Sequence, residues 1–328
     1  MPFWNIGYST SVAWTNRSDF GEASPWMYGL ASDGQINTQY DRGQSAAMAH
    51  DLSRLRAEGL RIVPTIANVT DGAWSYQPVA RMLHSPALMA ELVAAIVALV
   101  VSRDYTGIDV DYEDLLATDR QAFTLFVTRL ATALQARGKI LSVALLAKTT
   151  DAGYGPRNVA QDYAAIGRVA DQVRLMACDC HWATSAAGPV APVSWVSAVL
   201  GYAKTQIPAA KVALGVPLYG YDWSDGHGTG LSWLQATRLA TRYHATVHYD
   251  ADAQAPWFSY ADSSGTAHTV WFENAESSKA KFTLAQGAGI AGVYLWMYGG
   301  EDTGTWSALR DVRSASGPHA RAAAAASP

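Results

Sequence analysis

Short apolar runs alternate with helix-like segments along most of this chain, and this alternation constrains the fold more than any other feature. The pattern is typical of parallel strands joined by helical crossovers. The predicted strands are Trp4–Tyr8, Trp26–Leu30, Arg61–Ala67, Gly107–Glu113, Ile140–Leu146, Gln172–Cys178, Lys211–Pro217 and Gly292–Trp296. The predicted helices are Gln44–Glu58, Pro86–Ser102, Arg120–Ala136, Asn158–Val169, Ser194–Lys204 and Ser277–Gln286. Eight strands at this spacing favour an α/β fold of the (β/α)₈ TIM-barrel type over a doubly wound sheet.

The stretch 224–272 interrupts the alternation. It opens with a helix-like piece, Leu231–His244, and a hairpin signal, Ala261–Gly265, lies near its end. Its strand-like pieces are Thr246–Tyr249, Trp257–Tyr260 and His268–Phe272. We therefore predict one (β/α)₈ domain over residues 1–313, with a small α+β insertion at 224–272 after the seventh strand. Residues 314–328 are rich in Ala and Ser without a periodic apolar face, which predicts a disordered tail.

Composition excludes several classes of partner. The chain has 328 residues, of which 49% are hydrophobic and 16% charged, so it can bury a large core. The net charge is −4 and no basic cluster is present, which argues against a nucleic-acid or anionic membrane partner. The longest apolar run, Leu88–Val101, contains Glu91 and is too short to cross a bilayer. No secretory signal is visible at the start of the chain.

One predicted strand, Gly107–Glu113, carries three acidic residues at alternate positions. Period two places Asp109, Asp111 and Glu113 on one face and the bulky residues between them on the other. Three like charges on a half-buried strand repel one another and are costly to desolvate, so folding alone does not explain them. Catalytic groups of such barrels lie at the carboxyl ends of strands. We therefore predict an active site there, with Glu113 at the end of the fourth strand.

The two cysteines, Cys178 and Cys180, do not indicate a disulfide or a metal site. Two residues apart on an extended backbone, their Cα atoms are roughly 6.5–7 Å apart, too far for an easy disulfide. A zinc site needs more ligands than these two residues and His181. We expect neither a metal nor another cofactor.

Several segments resemble glycoside hydrolase family 18, the chitinase family, and especially its spore-germination and cortex-lytic N-acetylglucosaminidase branch. Thr106–Glu113 reads TGIDVDYE against the family motif DGxDxDxE, and Met176–Asp179 reads MACD against MxYD. The segments 188–192, 215–223 and 295–302 resemble the same branch in the same order. The resemblance extends from about Trp4 to Arg313 and supports the barrel fold.

The resemblance implies roles for individual residues. Glu113 is expected to be the general acid and then the base, Asp111 to orient the substrate acetamide, and Asp109 to share a proton with Asp111. The expected substrate-binding residues are Asp179, Trp296, Tyr219, Tyr221, Cys178 and Met176. Asn68 and Lys148, which follow the third and fifth strands, are further candidates, although either is as readily a surface residue.

Two positions depart from the family pattern. Thr106 replaces the leading Asp of the strand-four motif, which belongs to the supporting network. Cys178 replaces a Tyr that helps to hold the N-acetyl group, and period two places it on the face of Met176 and Cys180. Either a neighbouring Tyr, Tyr219 or Tyr221, compensates, or the activity is altered.

Three classes of function follow from these observations. The first is retaining, substrate-assisted hydrolysis of β-linked N-acetylglucosamine in peptidoglycan or a chitin-like glycan. The second is a weakly active or non-catalytic carbohydrate-binding protein, against which the retained Glu113 argues. The third, a metal-dependent enzyme using the acidic strand, lacks a clear further set of ligands. We expect a monomer that is secreted or associated with the cell envelope or spore.

Overall fold

The computed structural model of the protein describes residues 1–38 and 45–315. The chain forms two compact units. The first unit comprises Met1–Met176 and Val199–Ala213. The second comprises Ala177–Ala198 and the described residues from Leu214 onward. Two elements belong partly to each unit, the helix α8 (Val193–Gln206) and the strand β11 (Val212–Pro217).

The first unit contains most of the predicted alternation of strands and helices. Its strands are β1 (Glu22–Ala23), β2 (Trp26–Leu30), β3 (Ile36–Asn37), β4 (Arg61–Ile62), β5 (Thr65–Ala67), β6 (Val69–Thr70), β7 (Ala73–Trp74), β8 (Gly107–Asp111), β9 (Ile140–Leu146) and β10 (Gln172–Met176). Its helices are α1 (Ile6–Thr15), α2 (Ser45–Ala57), α3 (Tyr76–Leu83), α4 (Pro86–Ser102), α5 (Arg120–Gln135), α6 (Pro156–Val159) and α7 (Tyr163–Val169).

The central sheet of the first unit is parallel, as the alternation predicts. The strands β10, β9, β8, β5 and β2 pair in that order and all run in the same direction, while β3 adds an antiparallel edge. In this register Asp109 on β8 lies opposite Thr65 on β5 and Ser142 on β9. All carboxyl ends of these parallel strands therefore meet at one edge, where ligands of α/β proteins bind.

The strand β8 is buried on both faces. At its first residue, Gly107, a Cβ would lie 2.1 Å from the carbonyl oxygen of Ile140, so only glycine allows β9 to approach this closely. At its far end the Tyr112 ring stacks on Phe126 of α5, with ring centroids 5.6 Å apart. This packing fixes Tyr112 as a wholly buried side chain and directs the acidic side chains away from α5.

The second unit is built around an antiparallel sheet. Its remaining strands are β12 (Tyr219–Ser224), β13 (His227–Ser232), β14 (His248–Asp250), β15 (Ala255–Ala261), β16 (Ala267–Phe272) and β17 (Gly292–Trp296). Its helices are α9 (Trp233–Arg242), α10 (Ala275–Ala288) and α11 (Thr305–Ala315). Five strands pair in the order β13-β12-β16-β15-β14, and β17 lies beside β11. The predicted hairpin is confirmed as β15 and β16.

The prediction of a strand at Trp4–Tyr8 was wrong. The chain there forms a single 3-10 turn, Phe3–Asn5, followed by the helix α1. The buried residues of α1 are Ile6, Ser9, Thr10 and Ala13, and this spacing is helical. Two of these four buried residues, Ser9 and Thr10, are small and polar. The apolar residues Trp4 and Tyr8, which suggested a strand, are exposed.

Other elements were missed or given wrong bounds. The predicted strand Arg61–Ala67 is split into β4 and β5, because Pro64 has no N–H to donate. The hairpin of β12 and β13 was missed although Asp225-Gly226, both with positive φ, is a strong turn signal. The helix α11 includes Ser314 and Ala315, which were predicted to be disordered; the rest of that predicted tail, 316–328, lies outside the described residues.

The lengths and hydropathies of the helices bear on whether any of them could span a membrane. Among the residues that the structure describes, no helix by itself is long and apolar enough to cross a bilayer. The helices α3 and α4 together have the length and apolar composition of a span, but the chain bends by 110° between them.

Candidate active site

The first carboxylate of the acidic strand, Asp109, is held in a buried ion pair. Its Oδ2 lies 2.9 Å from Arg174 Nη1 and accepts a hydrogen bond from the Thr65 hydroxyl at 3.0 Å. Arg174 is itself buried and also binds Glu22 and Ser24. The negative charge of Asp109 is thus compensated inside the unit, which is the condition under which a buried carboxylate is tolerated.

The second carboxyl group, Asp111, is also buried. Trp26 donates its indole N–H to Asp111 Oδ2 at 3.2 Å. Burial, followed by the negative charges of Glu113 and Asp109, raises the pKa of Asp111 well above its usual range. A group in this position holds a proton at pH values where an exposed aspartate has lost it.

Asp109 and Asp111 each keep one oxygen for a further partner. Both Oδ1 atoms are buried and lack a hydrogen-bond partner within the described residues. Buried polar atoms are normally satisfied, so these two oxygens are available to accept a proton or a hydrogen bond from a water molecule or a ligand group.

The third carboxyl group, Glu113, lies beyond the end of β8, and its main chain is held by an amide side chain. Asn68 donates from Nδ2 to the Glu113 carbonyl oxygen at 2.7 Å, and the Glu113 N–H donates to Asn68 Oδ1, also at 2.7 Å. Gln161 donates to the carbonyl oxygen of Tyr112, one residue earlier. The backbone is therefore fixed while the Glu113 side chain, 19% exposed, remains accessible.

An aromatic cluster extends from Asp111 to the surface. The Trp26 ring makes edge contacts with Trp4 and Trp74, with centroids 5.6 and 6.1 Å apart. Trp4 and Trp74 are 53% and 40% exposed, which is unusual for the largest apolar side chain. Aromatic faces of this kind stack on the C–H faces of sugars.

In the second unit, Asp179 and two tyrosines form a hydrogen-bonded group. The hydroxyls of Tyr219 and Tyr221 both donate to Asp179 Oδ1, at 2.8 and 3.1 Å. The tyrosines are two residues apart on β12 and therefore share a face. Burial and the negative charge of Asp179 raise the pKa of both hydroxyls, which keeps them protonated as donors.

Cys178, the main departure from the family pattern, is a buried free thiol. Burial first, then the charges of Asp179 and Glu273, raises its pKa well above the usual range, so it is an un-ionised thiol. Glu273 forms a fully buried ion pair with Lys281 at 2.7 Å. Because β10 ends at Met176, the strand-face relation predicted between Met176 and Cys178 does not apply.

The remaining predicted residues have different surroundings. Trp296, half-buried, ends β17, and its carbonyl oxygen accepts from the N–H of Leu218. Lys148 is fully buried, where it binds Asp151 and the Gln161 carbonyl oxygen, so it is a structural residue and not a cleft residue. Asn68 alone of the two weaker candidates contacts the acidic segment.

We expect Cys178→Tyr to lower both the melting temperature and the turnover. Cys178 is 6% exposed, so a tyrosine ring at this position would have to displace its neighbours. Enlarging a side chain in a packed site typically costs about 1–3 kcal/mol. Cys178→Ser, which keeps the volume, is the matched control. A several-fold gain in turnover for Cys178→Tyr with an unchanged melting temperature would show instead that a donor is missing.

Comparison with known proteins defines the class of this chain. The sequence profile of glycosyl hydrolases family 18 matches residues 11–301, so the chain belongs to that family. Membership, together with the solved chitinase structure below, implies a TIM-barrel fold.

Individual members of the family are similar to this chain in sequence or in structure. The Bacillus subtilis protein YdhD is 35% identical over 285 residues, and the cortical fragment-lytic enzyme of Bacillus anthracis 32% identical over 240. These alignments cover 83% and 71% of this chain, which spans only 64% and 56% of the relatives' lengths. The crystal structure of a chitinase from Chromobacterium violaceum superposes with a TM-score of 0.87 at 30% identity, covering 94% of this chain and 96% of the chitinase.

Proposed function

We propose that the protein hydrolyses β-linked N-acetylglucosamine in a polysaccharide by a retaining, substrate-assisted mechanism. The observation that carries the proposal is the graded environment of the three carboxyl groups on the acidic segment. Asp109 is paired with Arg174, Asp111 is buried with a raised pKa, and Glu113 is anchored by its backbone and accessible. Carboxyl groups whose environments differ in this way take different roles in acid–base catalysis.

In the first step Glu113 acts as the general acid. It donates its proton to the glycosidic oxygen while the carbonyl oxygen of the substrate acetamide attacks the anomeric carbon. The bond from the anomeric carbon to the leaving oxygen breaks, and its electron pair stays with that oxygen. The products of this step are a released sugar hydroxyl and an oxazolinium ion.

In the second step Glu113, now a carboxylate, acts as the general base. It removes a proton from a water molecule that attacks the anomeric carbon from the side the leaving group vacated. The acetamide is restored, and two displacements leave the β configuration unchanged.

Asp111 and Asp109 support the charged intermediate in this proposal. The acetamide N–H donates to Asp111 as positive charge develops on the oxazolinium ring, and an ionised Asp111 stabilises that charge. The proton that Asp111 holds at rest moves to Asp109, whose free Oδ1 provides an acceptor. Trp26 keeps the Asp111 carboxyl group in one orientation through its indole hydrogen bond.

The substrate-binding roles of Asp179, Tyr219, Tyr221, Cys178, Met176 and Trp296 remain proposals that rest on family membership. Sugar stacking on Trp4 and Trp74 is supported by their exposure. The name of the cortical fragment-lytic relative favours peptidoglycan over chitin as the polymer. We infer a monomer that acts on a glycan at the cell envelope or spore, without nucleic acid, membrane or cofactor.

Proton NMR of early product tests the mechanism. The enzyme is mixed with peptidoglycan glycan strands and, separately, with chitin oligosaccharides, and mass spectrometry identifies the new reducing ends. We expect N-acetylglucosamine reducing ends in the β form before mutarotation, and inhibition by an N-acetylglucosamine thiazoline. Early product in the α form would exclude the mechanism.

A second candidate function is carbohydrate binding with little or no turnover. The observation that favours it is the thiol at position 178, which is a poor hydrogen-bond donor. Glycan binding without any release of reducing ends over hours would support this function instead.

A further inference from the structure

Arg157 lies beside the proposed catalytic acid, and the mechanism above does not use it. Its Nη1 is 3.8 Å from Glu113 Oε2 and 3.7 Å from Asp114 Oδ1. Both distances exceed the 2.7–2.9 Å typical of a charge-assisted hydrogen bond. The Arg157 side chain is 46% exposed. A planar fork of donors in this state is suited to binding a carboxylate.

The backbone beneath Arg157 is well anchored. Arg157 is the second residue of the single turn α6, which begins with Pro156. Asn158, the next residue, donates to the carbonyl oxygen of Ala147 at the end of β9. Gln161, just beyond the turn, accepts from the Leu146 N–H and donates to the Tyr112 carbonyl oxygen. The Gln161 side chain, which follows α6, therefore links the end of β9 to the segment that carries Glu113.

The position of the acid defines what Arg157 can meet. A general acid lies next to the oxygen that leaves, so a cation within 4 Å of Glu113 is close to the leaving sugar. While Glu113 is protonated it is neutral, and Asp114 is then the remaining anion of the pair. The half-exposed guanidinium is free to turn toward an anionic group on that sugar.

We propose that Arg157 binds a carboxylate carried by the sugar that leaves, and so selects acidic glycans; this rests on the proposed function. In peptidoglycan the sugar that follows N-acetylglucosamine carries a lactyl ether on O3. Its O4 is the glycosidic oxygen that Glu113 would protonate. The lactyl ether therefore stands on C3, next to the C4 that bears the leaving oxygen. Where no peptide is joined to it, its carboxylate is close to a group beside the acid. A neutral chitin chain has no such group.

The test compares two glycans that differ only in charge. One is a peptidoglycan tetrasaccharide with free lactyl carboxylates, and the other is the same tetrasaccharide with those groups converted to carboxamides. We expect wild-type kcat/KM to favour the acid form by roughly three- to tenfold, and Arg157→Gln to abolish the preference by lowering kcat/KM on the acid form. Arg157→Lys should retain part of it. Arg168→Gln, which removes a charge from an exposed residue of α7, is the control.

The outcomes separate the two proposals. Equal losses on both glycans, accompanied by a displaced pH profile, would mean that Arg157 acts through Glu113 and would overturn the inference while leaving hydrolysis intact. No preference in the wild type would also overturn it. If the wild type cleaves neither tetrasaccharide, the proposed function fails. Calorimetric binding of both glycans to Glu113→Gln and to the double variant with Arg157→Gln then decides whether the arginine recognises the carboxylate.

Discussion

Replacement of Glu113 by glutamine is expected to reduce turnover by about 10²–10⁴-fold, the range attributable to general acid–base catalysis. Glutamine has nearly the same size but holds no transferable proton. The two hydrogen bonds between Asn68 and residue 113 involve only the main chain of residue 113, so the variant should fold normally. The measurement is the rate of reducing-end release from a glycan, together with the melting temperature.

Glu91→Gln is the matched control for that experiment. Glu91 is an exposed residue of α4, and the same chemical change there should leave the rate unaltered. A Glu113→Gln protein with wild-type turnover and a wild-type melting temperature would remove Glu113 from the proposed mechanism.

Asp111→Asn is expected to have opposite effects on activity and stability. Loss of the carboxylate that supports the oxazolinium ion should lower turnover on the order of 10²-fold. Because burial and neighbouring charges raise the pKa of Asp111, ionising it in the folded protein is unfavourable. The neutral asparagine avoids that penalty, so the variant should melt at a higher temperature than the wild type at neutral pH.

The raised pKa of Asp111 also determines how the stability of the wild-type protein changes with pH. The folded protein binds the Asp111 proton more tightly than the unfolded chain, so its contribution to stability is greatest below the ordinary aspartate pKa. It is lost as pH rises through the raised value. The difference in melting temperature between Asp111→Asn and wild type should therefore grow with pH over that window. Asp252→Asn, at an exposed carboxyl group, is the matched control. A difference that shrinks as pH rises would contradict the assigned environment of Asp111.

The parts of the fold that could be predicted are those with a clear local pattern of apolar residues. The apolar run of β9 has the bounds expected from the sequence, because a buried parallel strand is apolar on both faces. The bounds of β17 also agree with the prediction. Trp4–Tyr8 was mistaken for a strand since Trp4, Ile6 and Tyr8 alternate with period two. Only the buried small residues Ser9, Thr10 and Ala13 that follow give the helical spacing.

The acidic strand of the candidate site was predictable for the same reason, whereas its supports were not. Asn68 was a candidate by its place after the third predicted strand, but its contact with Glu113 across 45 positions, through the main-chain atoms of Glu113, carries no sequence signal. Arg174, the ion-pair partner of Asp109, is an ordinary arginine in an apolar strand, and only the sheet register shows what it faces. Arg157 follows a loop with no periodic pattern. Each of these three contacts joins residues that are far apart in the sequence, so the local spacing of residues does not reveal it.

The reciprocal contact of Asn68 makes position 113 independent of its own side chain. An amide that binds both the N–H and the carbonyl oxygen of a residue can make the same two hydrogen bonds to any residue except proline. The protein can therefore be converted into a reagent: with glutamine at 113 it should retain its glycan where the wild type would release it. Such a variant, immobilised, would serve as an affinity probe that captures uncut glycans from a cell-wall digest.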